Sequence, residues 1–437
     1  MNTPLWPGWH PDRSRVHRDS PGRADVEQVK PDSFHTYTGP TPLADIAPGT
    51  VLKTRSFPYH IFGFPTLLKT TQLLYRSTSQ LGEPTVNITS VIRSPIAFNA
   101  KKVVSYQSAY DSLNSRDEPS YAIAGGVRLS GLIPNVELAV FGPFIAEGYT
   151  VIVPDTEGQR ADFAAGPEYG MNTLDSIRAA VNSSAIPHDA KVALLGYSGG
   201  AIAAGWAAEL APTYASDVNE RLVGAAIGGV LVDPAHNLHY IAGTPLWSGV
   251  IPMALVGIAR AFEIDLTRYL TPHGAQIFAE TQTASIVDML GRYPDLKWAD
   301  LVVAEYPTPE SLPVYVHCAN QLIMGTGGTP TIPLFIGQGV NGELELTPGD
   351  KPGIGPGDGV MIAGDVRTLA RGYCARGTEV YYEQYDALSH IWSVPIWLPN
   401  AIAWVKDRLA GRAVKQNCAS IAPGNPLEPI PVPPQQD

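Results

Sequence analysis

A doubly wound, mostly parallel α/β sheet with an inserted helical cap is the fold class predicted by three features of the sequence. From Val103 onward, strand-like apolar runs alternate with amphipathic helical patterns, the order that builds βαβ units. A short apolar strand, a glycine-flanked serine corner and an Ala-rich helix follow one another in KVALLGYSGGAIAAGWAAELAP, residues 191–212. Later, about a hundred residues separate two buried strands, far more than an ordinary connection needs.

The totals narrow the class. A chain of 437 residues exceeds an average domain but suits a large α/β fold carrying insertions. A net charge of −11 argues against nucleic-acid binding, which requires a basic face. Cys318, Cys374 and Cys418 permit one intramolecular disulfide and leave one thiol over. No C-x-x-C pair is present, so a structural zinc site is not expected; no other metal and no cofactor is expected either. The opening MNTPLWPGWHPDRSRVHRDS has no apolar signal-peptide core. It predicts a cytoplasmic protein or a chain numbered after removal of a leader. The most apolar long run, 245–262, is interrupted by Pro252 and Arg260 and is not a membrane span.

In chain order, residues 1–50 read as a polar surface extension. A hairpin follows over 72–94, turning at Leu81-Gly82-Glu83-Pro84. Strands are predicted at 103–110 and 149–154, then a helix at 171–182 with Leu174, Ile177 and Val181 on one face. After the serine corner come strands at 223–232 and 331–337, a helix at 360–376, a strand at 379–385 and a helix through 401–409. The core is therefore assigned to 51–232 and 329–418. Residues 233–328 are the cap, with helical patterning at 251–262 and 274–290. Trp247, Ile251, Met253, Leu255 and Phe262 either line an acyl tunnel there or pack the cap on the body. The tail, 419–437, is Pro-rich and reads as an extended flap or as unstructured chain.

Chemistry enters at the corner Gly196-Tyr197-Ser198-Gly199-Gly200. This is the G-x-S-x-G form of a nucleophile elbow, which needs small residues two before and two after the serine because strand and helix cross there. A serine hydroxyl needs a base, and the base needs a carboxylate. His236, His239, His273 and His317 fall in the cap, whereas His390, just after the last strand, stands where this chain order puts the base. Glu343, Glu345, Asp350, Asp358 and Asp365 all follow the strand that should carry the acid. Residues 343–357 read as an exposed Gly/Pro-rich excursion, Asp365 falls inside a helix, and Asp358 immediately precedes it. Position alone leaves Asp358 as acid or as a helix N-cap. Glu157, Arg160, Asp162 and Glu168 read as loop and ion-pair residues.

Several segments together resemble the secretory lipase family of fungi and actinobacteria. They are PGTVLKTR (48–55), QLLYRSTSQLGEPTVNITSVI (72–92), YDS (110–112), GYTVIVPDTEGQRADFAAGPEYGMNTLDSIRA (148–179), GYSGGA (196–201) and GDGVMIAGDVRTLARGYCARG (357–377), with His390. The resemblance implies an α/β-hydrolase fold with a helical lid and a C-terminal flap. It implies the series Asp358, Cys374, Gly377, His390, hence a Ser198–Asp358–His390 triad. An oxyanion hole made by the Gly199 N–H and a group at Asp111 is implied as well. Ahead of Asp358 the chain carries an additional stretch, GELELTPGDKPG.

The expected activity is hydrolysis of carboxylic esters or triacylglycerols through an acyl-enzyme. The expected partners are an ester or lipid substrate and a lipid interface met by the cap, and the resemblance implies secretion. An acyltransferase or a serine peptidase would share the elbow, and a non-catalytic binding protein would share the fold.

Overall fold

Successive side chains in the central strands point to opposite faces, and here both faces are apolar. Val103, Ile152, Leu194, Ala225 and Ile336 enter one core, while Val104, Val151, Leu195, Ala226 and Phe335 enter another. Strands buried on both sides must be covered by helices above and below. The computed structural model, which describes residues 32–96 and 98–433, has that arrangement. Most of the N-terminal extension (1–31) and the end of the Pro-rich tail (434–437) lie outside the described residues.

The strands are β1 (Val51–Ile61), β2 (Phe64–Thr78), β3 (Pro84–Arg93), β4 (Lys102–Gln107), β5 (Thr150–Pro154), β6 (Lys191–Tyr197), β7 (Leu222–Gly228), β8 (Leu334–Gly339) and β9 (Val380–Tyr385). They form one sheet in the order β1-β2-β3-β5-β4-β6-β7-β8-β9. The first three pair antiparallel with each other and with β5. From β5 to β9 every pairing is parallel. Helices Gly166–Asn182, Gly199–Tyr214 and Ala363–Ala375 cover one face. Helices Leu138–Ala146 and His390–Leu409 cover the other. The chain goes from β4 to β5 on one side and returns to β6 on the other. The carboxyl ends of β4 and β6 thus flank a topological switch point, where open α/β sheets bind their ligands.

Between β7 and β8 the chain forms only helices and loops, among them Pro234–Ile241, Val250–Ala261, Pro272–Thr281 and Pro313–Gln321. This insert shares an apolar core with Leu113, Phe163 and Val360 of the body, with Met253, Phe262, Met289 and Leu301 fully packed inside. No described helix is long and apolar enough to cross a membrane.

Some elements extend beyond their sequence signals. The antiparallel entry has three strands, because β1 pairs along most of its length with β2 despite Pro58. The helix foreseen at 171–182 starts at Gly166, with Pro167 in its first turn, where the missing N–H costs nothing. The last helix starts at His390 and runs through Pro395 and Pro399. Burial of Trp397 and Trp404 against the sheet holds this stretch helical where proline alone would have ended it.

The tail runs extended along the helix Ala363–Ala375. Arg371 donates to the Ile421 carbonyl at 2.7 Å, and the Thr368 hydroxyl to the Asn425 carbonyl at 2.6 Å. Farther on, the Asn320 amide donates to the Ile430 carbonyl at 2.8 Å, so the tail reaches the insert. A disulfide joins Cys374 to Cys418 across 44 residues, and Cys318 is a buried free thiol. Opening that loop enlarges the unfolded ensemble. Cys418→Ser is expected to lower unfolding free energy by about 2–4 kcal/mol, read as a lower urea midpoint with a steeper slope, because the denatured chain is less compact.

Candidate active site

The serine corner is set by how closely β6 approaches the helix Gly199–Tyr214. A Cβ at Gly196 would lie 2.1 Å from the Gly200 carbonyl oxygen, and one at Gly200 would lie 2.2 Å from that of Gln107. Only hydrogen fits at either position. Between them Ser198 takes φ 54° and ψ −122°, a conformation that costs a non-glycine residue about 1–3 kcal/mol. Its N–H is tied to the Gly228 carbonyl at 2.9 Å. The side chain emerges above the carboxyl end of β6, at the start of a 16-residue helix whose first N–H groups have no partner within the helix.

His390 opens the helix that follows β9. Its Nε2 lies 2.8 Å from Ser198 Oγ, and its Nδ1 lies 2.9 Å from Asp358 Oδ2. Asp358 is fully buried. Its second oxygen accepts from the N–H groups of Val360 and Met361 at 3.1 and 2.7 Å, and the Gln338 amide donates to the first at 2.9 Å. The Asp358 carbonyl accepts from the His390 N–H at 2.6 Å, so main chain and side chain both bind the two residues. Burial disfavours the imidazolium, but Asp358, with Glu345 and Asp111 farther off, outweighs it and raises the His390 pKa above its ordinary value. The Tyr197 hydroxyl donates to the His390 carbonyl at 2.6 Å, and the Trp247 ring stands edge-on to the imidazole at 5.6 Å between centroids.

Asp111 sits beyond β4, across the switch point from Ser198, at φ 36°. A Cβ on Gly199 would collide with the Asp111 carboxyl at 1.7 Å, so the carboxyl abuts the first residue of the elbow helix. Burial pushes the Asp111 pKa up to about 7, with His390 pulling the other way. The turn is held from behind: Glu157 accepts from the Ser112 N–H at 3.2 Å and from the Tyr169 hydroxyl at 3.1 Å. The insert holds it from above, where the Ile286 N–H donates to the Asp111 carbonyl at 2.8 Å.

Ser198, His390, Asp358, Gly199 and Asp111, chosen from sequence, therefore lie together at one place. An imidazole in contact with both a hydroxyl and a buried carboxylate can accept the hydroxyl proton and hold the resulting charge. Asp365 instead pairs with His236 at 3.0 Å, joining a core helix to the insert. Arg160 and Asp162 form an ion pair at 3.0 Å, and Glu168 accepts the Gln80 N–H at 2.7 Å.

A cavity of about 370 Å³ opens above Ser198. Trp247, Ile251, Leu255 and Ile258 of the insert line it, with Ile391 and Val394 from the His390 helix. Met253 and Phe262, also singled out from sequence, pack inside the insert instead.

The sequence places Glu345 in an exposed excursion, and the structure buries it beside the site. The residue is 4% exposed, while its neighbours Leu344 and Leu346 are 53% and 58% exposed. Leu346 is left-handed at φ 61° and ends a 3-10 turn, which inverts the side-chain pattern that composition suggests. The acid between two leucines was the one available signal.

With this geometry in view, comparison with known proteins is specific. The model of the family described as "Secretory lipase" matches residues 125–417. Lipase 1 of Candida albicans is 32% identical over 409 residues, covering 87% of this chain and 81% of that protein. A probable inactive lipase of Mycobacterium tuberculosis is 30% identical over 396 residues, covering 89% of this chain and 84% of its own. Among solved structures, Candida antarctica lipase A superposes with a TM-score of 0.77 at 25% identity, over 92% of this chain and 90% of that one. The chain belongs to the secretory lipase family and is a serine ester hydrolase of the α/β-hydrolase fold.

Proposed function

We propose that this protein hydrolyses acyl esters, triacylglycerols among them, with Ser198 as nucleophile, His390 as general base and acid, and Asp358 as the group that orients and stabilises the imidazolium. The observation that carries the proposal is the continuous contact from Ser198 Oγ through His390 to Asp358, at 2.8 and 2.9 Å. Ser198 Oγ attacks the ester carbonyl carbon while His390 Nε2 takes its proton. The tetrahedral oxyanion is held by the Gly199 N–H and by Asp111. His390 then gives the proton to the leaving alcohol oxygen, and water, deprotonated by the same nitrogen, releases the acid. Each oxyanion donor contributes about 3–4 kcal/mol in comparable sites.

The name of the mycobacterial relative raises the non-catalytic alternative. The presence of serine, imidazole and carboxylate in mutual contact supports an active enzyme here. An aliphatic cavity supports an acyl substrate over a peptide. Family membership and the Cys374–Cys418 disulfide support secretion, since such bonds persist in oxidising compartments.

Lipid-surface contact, expected of the cap, finds better support beside it. Among the described residues, Val287 is the one exposed large apolar side chain of the insert. Ile391, Trp392 and Ile396 of the His390 helix are exposed; Ile391 lines the cavity with Val287, and its N–H is bonded to Glu345, which lies between the exposed Leu344 and Leu346. The proposed docking rim therefore belongs largely to the core.

Ser198→Ala is expected to abolish both p-nitrophenyl ester turnover and fluorophosphonate labelling at an unchanged melting temperature. Retained labelling would reject Ser198 as nucleophile. A buried acid with a pKa of about 7 still carries a proton on the acid side of neutrality and can donate it as a hydrogen bond to an oxyanion. The sign follows: raising pH through that value removes the donor, so kcat should fall on the alkaline side. Asp111→Asn, which keeps an N–H donor, should flatten this limb, and Asp111→Ala should lower kcat by about 10²–10³ on the acid side of that value, the deficit shrinking as pH rises through it. For the cavity, Leu255→Trp should cut kcat/KM on p-nitrophenyl laurate by about tenfold or more while leaving the acetate within about twofold.

A further inference from the structure

We propose that Glu345, in the stretch ahead of Asp358, is a positioning residue for His390: its carboxylate fixes the start of the His390 helix and the indole packed on the imidazole, and keeps a negative charge beside the base. The inference rests on the Ser198–His390–Asp358 reading and extends it to a group that touches none of the reacting atoms.

Two contacts define the role. One Glu345 oxygen accepts the Ile391 N–H at 2.7 Å, and the other accepts the Trp247 indole N–H at 2.9 Å. Ile391 follows His390 in the chain, and Trp247 stands edge-on against its ring. First-turn N–H groups of a helix need an outside acceptor, which a side chain at the N-cap usually supplies. Here the N-cap is Ser389, whose side chain makes no capping bond. Glu345 supplies the acceptor from another loop and adds a full charge, the sign that suits a helix N-terminus.

The carboxylate is enclosed. A Cβ on Gly359 would lie 2.8 Å from Glu345 Oε2, so the acid-bearing loop closes over it from one side. The Gly342 N–H donates to the Gly357 carbonyl at 2.8 Å, tying the two ends of the stretch together. Loop, helix and insert thus meet at one buried anion with both oxygens satisfied.

The groups facing His390 are Asp358 from the loop after β8, Asp111 from the loop after β4, Ser198 and Tyr197 from β6 and its corner, and Glu345. Asp358 is in direct contact, whereas Glu345 acts across one residue and one ring. Its negative charge favours the imidazolium. Since the base works when neutral, removing that charge moves the acid limb of the rate profile to lower pH.

The test is the pH dependence of kcat and kcat/KM on p-nitrophenyl acetate for Glu345→Gln and Glu345→Ala. In both, the acid limb should move to lower pH by about half a unit. Glu345→Ala, which also loses the two acceptors, should lower kcat by about tenfold with KM within about twofold. Glu345→Gln keeps the shape and one acceptor and should recover most of kcat without returning the limb. An acid limb at the wild-type position in Glu345→Gln overturns the proposal. So does a Glu345→Ala enzyme with wild-type kcat and limb and only a lower melting temperature, which makes the residue a staple. Should Glu345→Ala fail to fold, Glu345→Gln decides alone. An active Ser198→Ala enzyme would instead remove the underlying reading, so the two failures are distinct.

Discussion

The distance between β6 and the helix leaving it constrains everything at the site. With no room for a side chain at Gly196 or Gly200, the corner has one geometry, and Ser198 must adopt its left-handed backbone. The helix tolerates this because small residues dominate its buried side: Ala201, Ala203, Ala204, Ala207, Ala208 and Ala211 are sealed in the core along with Ile202, Trp206 and Leu210. The neighbouring helix also comes close, since a Cβ on Gly170 would lie 2.8 Å from the Trp206 main chain. Dense packing of this kind transmits any misfit to the serine, and it is what holds the strained residue in place.

On that platform the remaining groups arrive from separate strands. Asp111, Ser198 and the Asp358–His390 pair follow β4, β6, β8 and β9, so the sheet sets their spacing before any loop does. The loops then fix orientation through buried hydrogen bonds. Glu157 braces the Asp111 turn, and the Asp358 main chain holds His390. Asp358 is buried among N–H donors, the environment in which a buried carboxylate is tolerable, whereas burial pushes the Glu157 pKa well above its ordinary value.

What was legible in the sequence were the features that local chemistry dictates. Glycine spacing marked the corner, chain order singled out His390, and apolar runs between helical patterns gave the parallel strands. The acid needed more. Asp358 and Asp365 lie seven positions apart, and the structure separates them by giving one to His390 and the other to His236. Residue type carries no sign of that division. Long-range burial was equally silent. Trp397 and Trp404 keep a proline-containing helix intact, and a left-handed turn at Leu346 buries the acid between two leucines. Within the insert, periodicity marked helices without telling Ile251 and Leu255, which face the cavity, from Met253 and Phe262, which do not.

The Pro-rich C-terminal segment bears on how the mouth can widen. It is bonded to the core helix at Arg371 and Thr368 and to the insert at Asn320, while Asn425 shares Asp365 with His236. Lys351 grips the carbonyls of His239, Tyr240 and Ala242 from the opposite loop. A rigid swing of the whole helical layer would break the bonds at Asn320, His236 and Lys351 together. Movement of single rim segments would leave them whole, with residues 421–430 acting as a seat belt across the helical layer.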